Sequence, residues 1–149
     1  MLANELNTIY QKHLDTLRTE IEAYADETLL WKTEPGINNS AGNLALHLTG
    51  NLQHFFGAIL GNTGYVRKRD DEFGLKNVSR EDLLTQIDVA QEVLNDLFLH
   101  MTDAAMQETY PVPQFGEGRS VHYVACYLLA HFDYHLGQIN YHRRLLAGS

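Results

Sequence analysis

The sequence predicts an all-α protein, a four-helix bundle making one domain over residues 1–149, with a long connection between its second and third helices. Three observations carry that expectation. Four long stretches repeat apolar residues every three or four positions, the period at which a helix buries one stripe. Each stretch is bounded by capping residues or by Pro and Gly. Apart from Val112-Pro113-Gln114-Phe115, which could form a short extended segment, nothing reads as a strand. With 44% hydrophobic residues in 149, the chain has material for a core.

The first helix carries its stripe on Leu6, Tyr10, Leu14, Leu17, Ile21 and Tyr24 and is expected from near Leu2 to about Asp26. Pro35 then disfavours helix at Glu34, and Gly36 supplies a turn. Asn39 and Ser40 are good caps for an amphipathic second helix through Leu44, Leu48, Leu52, Phe55, Phe56, Ile59 and Leu60, stopped by Gly61 and Gly64. The polar connection from Gly61 to about Val78 is too long for a tight hairpin and long enough to cross the end of a bundle, a hint that helices two and three are not simple antiparallel neighbours. Ser79-Arg80-Glu81-Asp82 resembles a capping box with the shorter acid in third place, opening a helix through Leu83, Ile87, Ala90, Leu94, Leu97 and Met101. Pro111, Pro113, Gly116 and Gly118 break the chain. Ser120 caps a fourth helix from about Val121 to Leu146, whose last turn holds Arg143 and Arg144, where cations suit the helix dipole.

Composition removes several function classes. Nineteen acidic residues against 11 basic ones leave a net charge of −8, which argues against a nucleic-acid footprint. No run of about 18 apolar residues occurs, so no membrane span is expected, and Met1-Leu2-Ala3-Asn4-Glu5-Leu6 has no signal-peptide pattern. Cys126 is the single cysteine, which excludes an intrachain disulfide, a Cys-rich zinc site and an iron–sulfur cluster. A cytoplasmic protein is expected, with Cys126 as a packing residue.

Among the eight histidines, His131 and His135 stand four apart, about 40° around a helix axis, so both can point at one ion while His47 arrives from a second helix. Three imidazoles with an open fourth position describe a working metal site. A bare His-x-x-x-His is equally met by two unrelated histidines. The pattern gains force from Asn43 and Asn51, one turn either side of His47, and from Gln138 beyond His135, polar groups suited to orienting imidazoles. His54 and His142 return to the same faces about 10 and 16 Å along their helices, too far to join the coordination sphere. His122 should face elsewhere, His100 is a boundary residue, and His13 lies near the stripe of helix one without a partner at helical spacing. There is no Glu-x-x-His and no His-Glu-x-x-His, which disfavours a carboxylate di-iron bundle and a zinc protease.

The run Asn39-Ser40-Ala41-Gly42-Asn43-Leu44-Ala45-Leu46-His47-Leu48, with His131-Phe132-Asp133-Tyr134-His135-Leu136-Gly137-Gln138-Ile139 far downstream, resembles the DinB-like (YfiT-like) superfamily of metal-dependent helical bundles. Arg67-Lys68-Arg69-Asp70-Asp71-Glu72-Phe73 is similar to an Arg-x-Arg-Asp-x-Glu-Phe segment of one branch of it. The resemblance implies a bundle of unusual connectivity, often a homodimer, with a divalent metal held by His47, His131 and His135. It also implies relatives that act as thiol S-transferases using bacillithiol, mycothiol or glutathione.

The first functional expectation is therefore a metal-dependent S-transferase acting on a small-molecule substrate, in which the metal activates a thiol cofactor. A second is metal-assisted hydrolysis, although no Asp or Glu stands in the sequence beside the ligands as an obvious general base. A third is a non-catalytic metal-binding dimer. Three imidazoles suit zinc, nickel or iron(II). Arg67, Lys68 and Arg69 read either as a site for a carboxylate-bearing cofactor or as ion-pair partners of Asp70, Asp71 and Glu72.

Overall fold

The computed structural model describes residues 1–148 and is all-helical, with no strand among the described residues. Its helices are α1 (Leu2–Glu22), α2 (Ala41–Leu52), α3 (Arg69–Gly74), α4 (Arg80–Leu99), α5 (Asp103–Gln107) and α6 (Val121–Leu146). Ser40, Ser79 and Ser120 each accept the backbone N–H three residues on, capping α2, α4 and α6 as their sequences suggest.

α1 ends at Glu22, short of the expected Asp26. Asp26 is not the last helical residue but the cap of the next piece: its carboxylate accepts from Thr28 N and Oγ1 and starts a 3-10 turn, Glu27–Trp31. That turn lays Trp31 on α2 at Gly42, where a Cβ would stand 2.7 Å from the indole ring. α2 is not amphipathic either. Every residue from Ala41 to Leu52 is buried, because α4, α6, α3 and the Trp31 turn all pack on it. It continues as a π-helical turn, Gln53–Ala58, in which Ile59 N–H reaches His54 O at 3.1 Å and Gly61 N–H reaches Phe56 O at 2.9 Å.

α1 and α2 each pack against both α4 and α6. Cross-contacts give their directions. Asn7 meets Asn95, Gln11 the Gln91 carbonyl and Arg18 meets Asp88, so α1 and α4 run oppositely. Tyr10 reaches Ala125 and Tyr24 reaches His142, so α1 and α6 run together. Thr49 meets Gln86 and Gly57 faces Val93, so α2 and α4 run together as well. The connection after Gly61 must therefore return along the length of α2 before α4 begins, as its length suggested.

The core centres on Tyr10, Phe56 and Phe98, whose ring centroids lie 5.4–5.9 Å apart, with the Tyr10 hydroxyl donating to Ala125 O at 2.6 Å. Within Val112–Phe115 the extended backbone stops at Val112: Pro113–Phe115 is a 3-10 turn, for which the fixed φ of proline is well suited. Cys126 is not a packing residue. α6 buries Val124, Ala125, Leu128, Phe132 and Leu136, which turns Cys126 outward, its Sγ 3.6 Å from His122 Nε2. No helix among the described residues is long and apolar enough to cross a membrane.

Candidate metal centre

The packing of α2 on α6 brings His47, His131 and His135 together. Their ring centroids are 4.6–5.2 Å apart, and one nitrogen from each lies within 4.8 Å of the other two. His47 Nε2 and His131 Nε2 stand 3.1 Å apart. Two nitrogens bound tetrahedrally to one ion at about 2.0–2.1 Å would be separated by about 3.3 Å, so this spacing suits a shared cation. His47 is buried, whereas His131 and His135 are half-buried.

Partners set the ring tautomers. His47 Nδ1–H donates to Glu72 Oε1 at 3.0 Å, and His135 Nδ1–H donates to Gln138 Oε1 at 2.7 Å. Each then carries its lone pair on Nε2, the state in which imidazole binds a metal. His131 Nδ1 is buried with no hydrogen-bond partner among the described residues. Burial, then the neighbouring imidazoles and Arg67, push the His131 pKa down to about 4; burial also lowers that of His135, against the Gln138 bond. The donor set fits a divalent ion: His47 and His135 keep their lone pairs on Nε2, and burial favours the neutral form of His131.

Glu72 corrects the expectation that no acid stands beside the ligands. It lies on α3, 5% exposed, and receives Arg67 Nε at 2.8 Å and Nη2 at 2.9 Å as well as His47. Burial raises its pKa, but the hydrogen bonds from His47 and Arg67 outweigh that and hold the group below its ordinary range. The sequence reading missed it because it falls in a polar connection, 25 positions from His47. Two signals pointed to it: the Arg67-to-Phe73 motif, and Gly50 inside a helix. A Cβ on Gly50 would overlap Glu72 Oε2 and stand 2.8 Å from its carboxyl carbon.

Gln138 orients an imidazole as expected, but Asn43 and Asn51 do not. Asn43 Nδ2 instead donates to Glu72 O at 2.9 Å and Leu75 O at 2.8 Å, fastening α3 to α2. Asn51 is buried, and its Oδ1 has no partner among the described residues. Arg67 is an ion-pair partner of Glu72, Lys68 is exposed, and Arg69 lies over the Phe73 ring.

None of the other histidines joins the trio. His13 meets Ile9 O and Asp133, His54 stacks edge-on against Phe55, and His122 lies beside Cys126. His100 is exposed at the end of α4, beyond the boundary position expected of it. His142 is buried between Tyr24 and Lys32 O. A surface cavity of about 620 Å³, lined in part by Gly61, Val93, Leu97 and Met101, has none of the three histidines in its wall. Convergent donors, not the size of a hollow, mark this site.

Comparison with curated proteins finds no match, and comparison with solved structures finds none. The profile of the family described as "Protein of unknown function (DUF1572)" matches residues 3–149, nearly the whole chain, and the chain belongs to that family.

Proposed function

We propose that this chain is a mononuclear metal-dependent enzyme of the DinB-like superfamily, a four-helix bundle whose His47, His131 and His135 hold one zinc, nickel or iron(II) ion. Its reaction is the transfer of a small thiol, of the bacillithiol or glutathione type, to an electrophile. The supporting observation is the convergence of three imidazoles, of which His47 and His135 give their Nδ1–H to Glu72 and Gln138 and keep Nε2 as the ligating atom. An ion held there supplies Lewis acidity, which lowers the pKa of a thiol that reaches it.

The residues of the chain supply position and shelter. His47 is held by Glu72, and His135 by Gln138. Phe73, 4.8 Å from the His47 ring, and Tyr134, 5.3 Å from the His135 ring, supply aromatic surface next to the trio. Hydrolysis would call for a free base beside the ion. Glu72, the carboxylate that touches the trio, is committed to His47 Nδ1 and Arg67.

The partner we propose is a second copy of the chain. Tyr123, Tyr127, Tyr134, Tyr141 and Leu145 are exposed at helical spacing along one face of α6, an aromatic stripe flanked by Arg119 over Tyr123 and Arg144 over Tyr141, on which a copy can pack its own. A reducing cytoplasm suits the exposed Cys126 thiol.

Elemental analysis of protein purified without a histidine tag, followed by incubation with monochlorobimane with and without added thiols, tests the reading. About one metal per chain and thiol-dependent turnover are expected. Turnover indifferent to thiol rejects the transferase.

A further inference from the structure

We infer that Glu72, braced by Arg67, is the positioning residue of this centre: it holds His47 as the Nδ1–H tautomer in one ring orientation, so that Nε2 faces the ion. The inference rests on the metal reading above and makes specific what the connection between α2 and α4 does there.

A carboxylate in the interior needs partners for both oxygens. Glu72 has them: Oε1 accepts from His47 Nδ1–H and Arg67 Nη2, and Oε2 accepts from Arg67 Nε. The fork of the guanidinium meets the carboxylate edge in the two-point geometry that fixes orientation as well as charge. α2 is shaped to receive this pair. Asn43, His47 and Gly50 follow one another at intervals of four and three, along one side of the helix. Asn43 fastens the backbone at Glu72 and Leu75, His47 meets the carboxylate, and Gly50 leaves the space that the carboxylate fills. The other two ligands are held less firmly. His135 leans on Gln138, a neutral and exposed amide, and His131 Nδ1 has no partner among the described residues. A chain of contacts from α3 to one imidazole, built with a helix-weakening glycine at its closest approach, is what a carboxylate–histidine–metal arrangement requires.

Two variants test the role in the full-length protein. Glu72→Gln keeps the shape and removes the charge; Arg67→Met with Glu72→Leu replaces the whole pair by apolar side chains, so that no buried charge is left unpaired. Zinc affinity is read by competition with a chromogenic chelator, the ligand field from the visible spectrum of the cobalt form, and the His47 tautomer from imidazole nitrogen–proton NMR of the unaltered apoprotein. The expected results are an Nδ1–H His47, zinc binding weakened about 10–100-fold in both variants, and an altered cobalt spectrum with helicity retained. Unchanged affinity and spectrum in the variants, beside a wild type that binds metal, overturn the positioning role alone. A His47 protonated on Nε2 overturns it without any variant, so a variant that fails to fold does not protect it. A wild type that takes up neither zinc, nickel nor iron removes the metal reading, and this role with it.

Discussion

α6 presents histidines in two settings. His142, two turns past His135, is 3% exposed and fully partnered: its Nε2–H donates to Lys32 O at 2.8 Å and its Nδ1 lies 2.6 Å from the Tyr24 hydroxyl. His131 and His135 are half-buried and lean toward a third imidazole instead of toward groups that would use up their lone pairs. The same side chain on the same helix is thus a structural strut in one place and a set of waiting donors in the other. What separates them is hydrogen-bond accounting: a histidine with both nitrogens matched has nothing left to offer a ligand.

Substitutions break the comparison from either side. The largest effect is expected from His131→Ala on metal affinity. If about 10–16 kcal/mol of site energy is shared by four ligands, one of them is worth about 3 kcal/mol, or a loss of two orders of magnitude or more in zinc binding by chelator competition. The metal-free protein should keep its melting temperature within a few degrees. His142→Ala should do the reverse. It strands the Tyr24 hydroxyl and the Lys32 carbonyl, which costs about 2–3 kcal/mol in denaturant melts and leaves zinc affinity unchanged.

That contrast was only partly readable beforehand. The convergence of His47, His131 and His135 is legible in the helical spacing of two of them, in the polar neighbours of the third and in the family resemblance of both runs. The all-helical class is legible in the serine caps and in the apolar stripes of α1, α4 and α6, and the length of the connection hints that α2 and α4 are not antiparallel neighbours. Glu72 was not found, because its partner lies in another element and nothing periodic links the two. The stripe of α1 runs on to Tyr24 and reads through to Asp26, because the apolar pattern does not say when a carboxylate will cap the next turn. Cys126, about 140° from His131 around the helix, reads as a packing residue, whereas the buried face of α6 points elsewhere. The π-turn at Gln53–Ala58 leaves no trace in the apolar pattern, since Leu52, Phe55 and Phe56 serve either register.

Acid sharpens the comparison. The unfolded chain takes up a proton on each imidazole near pH 6.5, whereas folded His131 stays neutral to about 4, so between those values the unfolded state binds more protons. Stability contributed by this site is therefore complete above about pH 6.5 and is lost as pH falls toward 4. The ideal loss for His131 is about 3 kcal/mol, or about 2 kcal/mol after allowing for its partial exposure. His135 and His142, both lowered chiefly by burial, act in the same direction. Urea melts of metal-free protein between pH 7 and pH 4 check this, and a flat profile would contradict it.

The smallest effect is expected at Gly50→Ala. The added methyl displaces Glu72, an overpacking cost of about 1–3 kcal/mol set against a helix-propensity gain of about 1 kcal/mol, which leaves a net loss of about 1 kcal/mol. Zinc affinity should fall about tenfold, because the carboxylate no longer meets His47 squarely. A variant with wild-type affinity would show that the close approach at Gly50 serves packing alone.

The most direct measurement is an anomalous-difference map from a crystal grown with zinc. A single peak about 2.0–2.1 Å from one nitrogen each of His47, His131 and His135, with none beside His142, is the expected result. Density for three imidazoles turned away from one another, or a zinc peak on other residues with this cluster left empty, would contradict it.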